Sequence, residues 1–148
     1  MVFLKVSIYI HVSHKGNPRG AGNAIALLEF IDSKGTAHTR IAMAAEKDCT
    51  RNSLVLQIAS KALKMLAKPC EITIHTDNRY IESCVSLGWL KRWQQDGWKK
   101  AGGKPLANLE LWKDFYISMQ THKIKFAPYA QRQEFNIVDK KEDYGQDR

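Results

Sequence analysis

Acidic side chains are missing from two long stretches of this chain. None occurs from Met1 to Leu28, the first being Glu29, and none occurs from Arg51 to Cys70. Hard divalent cations such as Mg²⁺ are held mainly through carboxylates, and neither stretch can contribute one to such a site. Cysteine is also scarce. Cys49, Cys70 and Cys84 are odd in number and lack metal-ligand spacing, which argues against a disulfide framework and against a zinc site. A reduced, cytoplasmic protein is the expectation. No apolar run reaches membrane-spanning length. The apolar segment Met1–Val12 carries Lys5 and His11, alternates with period two and shows no cleavage site, so it reads as a strand rather than a signal peptide. There is no internal repeat.

What the chain does have is positive charge and tryptophan. Twenty-three Lys and Arg stand against fifteen Asp and Glu, a net charge of +8 over 148 residues. That length fits one domain with a single core, and that charge favours phosphate-bearing partners. Three of the four tryptophans fall in Gly88–Lys100, interleaved with Lys91, Arg92, Lys99 and Lys100. Aromatic faces that stack on bases or sugars, beside cations that neutralise phosphates, are the usual lining of a nucleic-acid groove.

The hydrophobic periodicity gives the order of elements. Val6, Ile8, Ile10 and Val12 alternate with polar residues, as a two-faced strand requires. Lys15–Gly20 is a turn cluster. Strand-like runs follow over 21–31 and 37–45, separated by the turn Asp32–Gly35, which makes a three-stranded antiparallel meander. Val55, Ile58, Ala59, Ala62, Leu63 and Leu66 then recur at helical spacing, with Thr50 or Asn52 as the cap and Pro69 as the stop. The Ile- and Thr-rich strand Glu71–Thr76 makes this helix a crossover to a parallel strand. Helices are expected over 78–87 and 89–95, then a loop to Ala107, then a helix capped by Asn108 with a Trp112, Phe115, Tyr116 and Met119 stripe. A last strand covers 123–127. The charged segment 137–148 is expected to be a flexible tail beyond a domain of residues 1–136.

Ile72–Tyr80, reading I-T-I-H-T-D-N-R-Y, resembles the strand of the type I ribonuclease H family that ends in T-D-S-x-Y. Trp89-Leu90-x-x-Trp93-x-x-x-Gly97-Trp98-Lys99, followed by Gly103-Lys104-Pro105-Leu106-x-Asn108-x-x-Leu111-Trp112, resembles that family's W-x-x-x-W-x-x-x-G-W-K … G-K-x-V-x-N-x-x-L-W run. Gly16-Asn17-Pro18 matches its G-N-P turn. The resemblance implies an α/β ribonuclease H-like fold, with a five-stranded mixed sheet of three antiparallel and then parallel strands flanked by helices. It also implies a grip on RNA/DNA hybrid. Trp89, Trp93, Lys99, Lys100 and Lys104 would meet the DNA strand, Thr50 and Asn108 a DNA phosphate, and Asn17 the RNA strand.

Cleavage in that family uses divalent metal, Mg²⁺ or Mn²⁺, clamped by four carboxylates. By the resemblance the first position is His11, the second Val55 and the third Asp77, the only one of the three that is acidic. The fourth belongs near the start of a C-terminal helix, where Glu134 and Asp139 are the candidates. His11, His75 and Asp77 offer a different donor set, suited to Zn²⁺ or Mn²⁺. The expectation is a ribonuclease H-like pseudoenzyme that binds RNA/DNA hybrid or related nucleic acid, with nuclease activity lost or strongly reduced. Two alternatives stand beside it. One is an active metal-dependent hybrid endoribonuclease with a rebuilt site. The other is a non-catalytic protein-interaction module.

Overall fold

The computed structural model describes residues 3–99, 101–103 and 106–139. Three strands come first: β1 (Leu4–His14), β2 (Arg19–Ile31) and β3 (Ala37–Thr50). Helix α1 (Arg51–Lys64) crosses over to β4 (Cys70–His75). Helices α2 (Arg79–Ser86), α3 (Trp89–Gln95) and α4 (Leu109–Met119) precede β5 (Lys123–Ala127). The sheet order is β3-β2-β1-β4-β5. β1 pairs antiparallel with β2 and parallel with β4, and β4 pairs parallel with β5. This is the expected five-stranded mixed sheet. Its first half is a meander closed by short turns, and its second half needs crossovers, as parallel strands must.

The alternation in β1 divides the two faces. Val6, Ile8 and Ile10 are buried under α1 and α4, where Leu54, Ile58, Trp112 and Phe115 complete one core. Tyr9 and His11 look out of the opposite face. That face has its own smaller core of Ile25, Leu27, Phe135 and Val138, with Tyr9, Met43 and Tyr129 packed around it. Parallel strands are rarely left bare on one side, and here the segment after β5 folds back to cover part of it.

Three expectations change. Strand β3 continues to Thr50 rather than stopping near Ala45, because β2 keeps a pairing partner for it through a register shift between Gly20 and Gly22. Asn108 occupies the N-cap position of α4, but its backbone is left-handed (φ 61°) and its side chain makes no capping bond. The expected tail begins later than residue 137. Residues 136–139 form a helical turn, Val138 is fully buried and Asp139 is tied to β1, so the folded unit reaches at least Asp139. Residues 140–148 of that tail lie outside the described residues.

Candidate active site and nucleic-acid interface

The site gathers where β1 and β4 end, beside the N-termini of α1 and α2. Thr50 caps α1: its hydroxyl accepts from the Ser53 N–H at 3.1 Å while the Ser53 hydroxyl accepts from the Thr50 N–H, a reciprocal box. The Thr50 hydroxyl is the acceptor in that bond, so its O–H can still donate to a phosphate. Asn78 caps α2 by accepting from the Ile81 N–H at 3.0 Å. Its amide then donates to Asn52 Oδ1 at 2.8 Å. This bridge locks the two helix starts together with Asp77, exposed, on the connection between β4 and α2. Arg51 and Arg79, the first residues of the two helices, are also exposed, and Arg51 donates to the Val12 carbonyl at 3.4 Å.

His11 sits on the same sheet face as His75, since Tyr9 pairs in register with His75. The two histidines have separate surroundings. His75 stacks on Tyr9, centroids 4.4 Å apart, and its Nδ1–H donates to the Pro128 carbonyl at 3.1 Å. His11 lies between Tyr129, whose hydroxyl is 2.8 Å from Nδ1, and Asp139, whose Oδ1 is 3.0 Å from Nε2. Of the two candidate acids after β5, Asp139 is therefore the one that reaches His11. Glu134 stands 3.9 Å from Arg132 instead. Burial raises the Tyr129 phenol above its ordinary range, with the negative charges of Asp77 and Asp139 adding to the effect.

Val55 is 2% exposed, on the α1 face packed against the sheet. The donor set fits a pair of Mg²⁺ ions poorly: an imidazole with both nitrogens engaged, an isopropyl group in the core, and two carboxylates. The transition-metal set of His11, His75 and Asp77 is not assembled either. Among the described residues no three His, Cys, Asp or Glu side chains stand close enough to hold a metal ion.

The tryptophan run takes the predicted helix, and its two members divide. Trp89 is 38% exposed at the start of α3. Trp93, expected beside it in the groove, turns inward and meets Trp112 edge-on at 5.4 Å. Trp98 packs on Tyr116 at 5.6 Å. The backbone at Trp98 is left-handed (φ 69°), costly for so bulky a residue, and its N–H bonds to the Trp93 carbonyl at 2.6 Å. That turn delivers Lys99 to the surface. Lys100 and Lys104 lie outside the described residues. Asn17 is exposed in the turn after β1, beyond the sheet's His11 end. Tyr129 and Arg51 are not among the residues that the sequence singles out. A cation beside the capping Thr50 is a usable sign for Arg51, whereas no spacing points to Tyr129.

The sequence profile of the RNase H family matches residues 4–128. This chain belongs to the RNase H family. The ribonuclease H of Lachnoclostridium phytofermentans is 34% identical over 123 residues, covering 83% of this chain and 78% of that protein. The ribonuclease H of Chlorobium phaeobacteroides is 36% identical over 122 residues, covering 82% and 80%. Among solved structures, LC9-RNase H1, a type 1 RNase H with the type 2 active-site motif, superposes with a TM-score of 0.76 at 22% identity over 95% of this chain and 71% of that one. A foamy viral protease-reverse transcriptase in complex with RNA/DNA hybrid matches with a TM-score of 0.67 at 17% identity, over 93% of this chain and 19% of that one. The ribonuclease H-like fold is thus shared with both. Among the described residues no helix of this RNase H family member is long and apolar enough to cross a membrane.

Proposed function

We propose that this protein binds RNA/DNA hybrid, or a closely related nucleic acid, along α3 and the helix starts beside Asp77, and that its metal-dependent cleavage is lost or strongly reduced. The observation that carries the reading is the environment of His11. Where the family resemblance puts a metal-holding carboxylate, an imidazole has both nitrogens committed to Tyr129 and Asp139, and Val55 offers only hydrocarbon. Phosphate contact falls to cations instead. Arg51 and Arg79 are exposed at the helix starts beside Asp77, Lys99 is exposed after α3, and Trp89 supplies an open aromatic face. Of the other residues assigned to the grip, Asn17, Thr50 and Asn108 keep that role in this reading, Thr50 through its O–H, and Trp93 backs Trp89 from within.

A cleavage assay on labelled RNA/DNA hybrid, with Mg²⁺ or Mn²⁺ and with EDTA, tests the loss of activity. We expect binding in all three conditions and no metal-dependent RNA cuts. Cuts that need metal and vanish in Asp77→Asn would sink the inactive reading. One observation favours that second reading, an active enzyme with a rebuilt carboxylate set: Asp139 is brought to the site. In that case Asp139→Asn would also abolish cleavage. Binding itself is tested by hybrid affinity across salt. Lys99→Ala should reduce the log–log salt slope by about one if it neutralises a phosphate. A slope identical to that of the unaltered protein removes Lys99 from the interface.

A further inference from the structure

Three side chains near the C-terminal end of β1 stand in a line. Asp139 Oδ1 is 3.0 Å from His11 Nε2, and His11 Nδ1 is 2.8 Å from the Tyr129 hydroxyl. A carboxylate only accepts, so the ring proton belongs on Nε2, facing Asp139. In the neutral ring Nδ1 is then an acceptor, and the group it meets is the tyrosine O–H. Gln131 Oε1 lies 2.9 Å from the same hydroxyl. Turning that amide over puts its NH₂ there instead, where it donates to the phenolic oxygen while the O–H points at His11. Phe135 lies flat on the imidazole, centroids 4.9 Å apart and planes 12° apart, which fixes the ring. The strap carrying Tyr129 and Asp139 is itself pinned. Arg132 donates to both Glu29 oxygens at 2.9 and 3.4 Å and sits over the Tyr9 ring at 4.5 Å.

A hydroxyl, a base within hydrogen-bond reach and an acid that orients the base form the general signature of an activated nucleophile. None of these three groups needs a metal. The geometry points to a metal-free phosphoryl transfer in which Tyr129 is the nucleophile, His11 its general base and Asp139 the residue that positions His11. Its natural substrate is a nucleic-acid phosphodiester, a statement that rests on the binding function proposed above. The phenolic oxygen of Tyr129 bonds to phosphorus, and the bond from phosphorus to one sugar oxygen breaks. The phenolic proton passes to His11 Nδ1, and the departing sugar oxygen, on the far side of phosphorus, takes its proton from water. The products are a phosphotyrosyl ester and a strand with a free hydroxyl end. Attack by that hydroxyl on the ester reverses the step.

Two probes test this in EDTA. End-labelled RNA/DNA hybrid should leave label on the protein after denaturing electrophoresis, while fluorescence anisotropy reports binding of the same hybrid separately. Bis(p-nitrophenyl) phosphate is a small diester that needs no groove. It should release p-nitrophenolate stoichiometrically with the protein and leave p-nitrophenyl phosphate on Tyr129, located by peptide mass. Tyr129→Phe should abolish both adducts while keeping the melting temperature. His11→Gln and Asp139→Asn should slow adduct formation by about 10²–10⁴-fold. No adduct from either probe, or an adduct that persists in Tyr129→Phe, overturns the proposal. If the small diester labels Tyr129 but hybrid is not bound, the nucleophile stands and the nucleic-acid reading falls. If hybrid is bound but neither probe leaves an adduct, the nucleophile falls and the binding function stands.

Discussion

Val55 lies with Leu54, Leu56 and Ile58 in the buried set of α1, packed into the core against the sheet. A carboxylate introduced there would lose hydration without gaining a partner. Val55→Glu should therefore cost about 1–3 kcal/mol, read as a lower urea midpoint. An unchanged midpoint would mean that the α1 start can turn this position toward the site. His122 shows a second kind of dependence on burial. Its Nδ1 accepts the Cys70 N–H at 3.0 Å, and burial holds its pKa below the ordinary 6.5. As pH falls below that ordinary value, the unfolded chain takes up the proton first. The stability held above about 6.5 is lost until the lowered folded value is reached. The protein should accordingly lose melting temperature relative to His122→Gln between pH 7.5 and 5. A difference that stays constant across that range would remove His122 as the cause.

At the scale of elements, α3 is the clearest case of a segment readable in advance and incompletely so. Its span, Trp89–Gln95, follows from the spacing of apolar residues between Gly88 and Gly97, both of which adopt left-handed backbone (φ 78° and 75°). Which tryptophan faces solvent does not follow. Trp89 and Trp93 are a helical turn apart, and only the arrival of Trp112 from α4 draws one of them inward. Their substitutions should separate. Trp89→Ala should weaken hybrid binding by about 1–3 kcal/mol with little change in melting temperature. Trp93→Ala should lower the melting temperature first. Equal losses of affinity from both, with stability intact, would mean that Trp93 also faces nucleic acid. Asn108 departs from its expected capping role for a related reason. Residue type favours capping, but the left-handed turn that sets its amide direction is imposed by the chain before it.

Across the whole molecule, the strands of the meander and α1 were legible because alternation in β1 and the helical period of α1 are local signals, whereas the five-stranded sheet they build was implied by the family resemblance. The strap after β5 was legible only as part of the domain up to residue 136, and its end at 137–139 was not, because the charged composition from 137 onward resembles that of an unfolded tail. Two apolar residues, Phe135 and Val138, decide the matter by closing the second core over Ile25 and Leu27. Arg132 and Glu29 then fasten the strap; the ion pair is 2.9 Å long and both side chains are at most one-quarter exposed. Arg132→Ala should loosen the strap alone, raising hydrogen exchange across 129–139 while β1 and β4 stay protected. Uniform loss of protection would instead make the pair part of the global fold.

His11 and Asp139 are 128 positions apart in the sequence. During synthesis β1 can pair with β2 almost at once, but His11 has to wait until nearly the whole described chain has left the ribosome. For most of that interval the meander, α1 and the tryptophan helix are available while the imidazole is uncovered. Closing this end of the molecule is therefore among the last events in its making, and a chain released early would carry a groove with an unfinished centre.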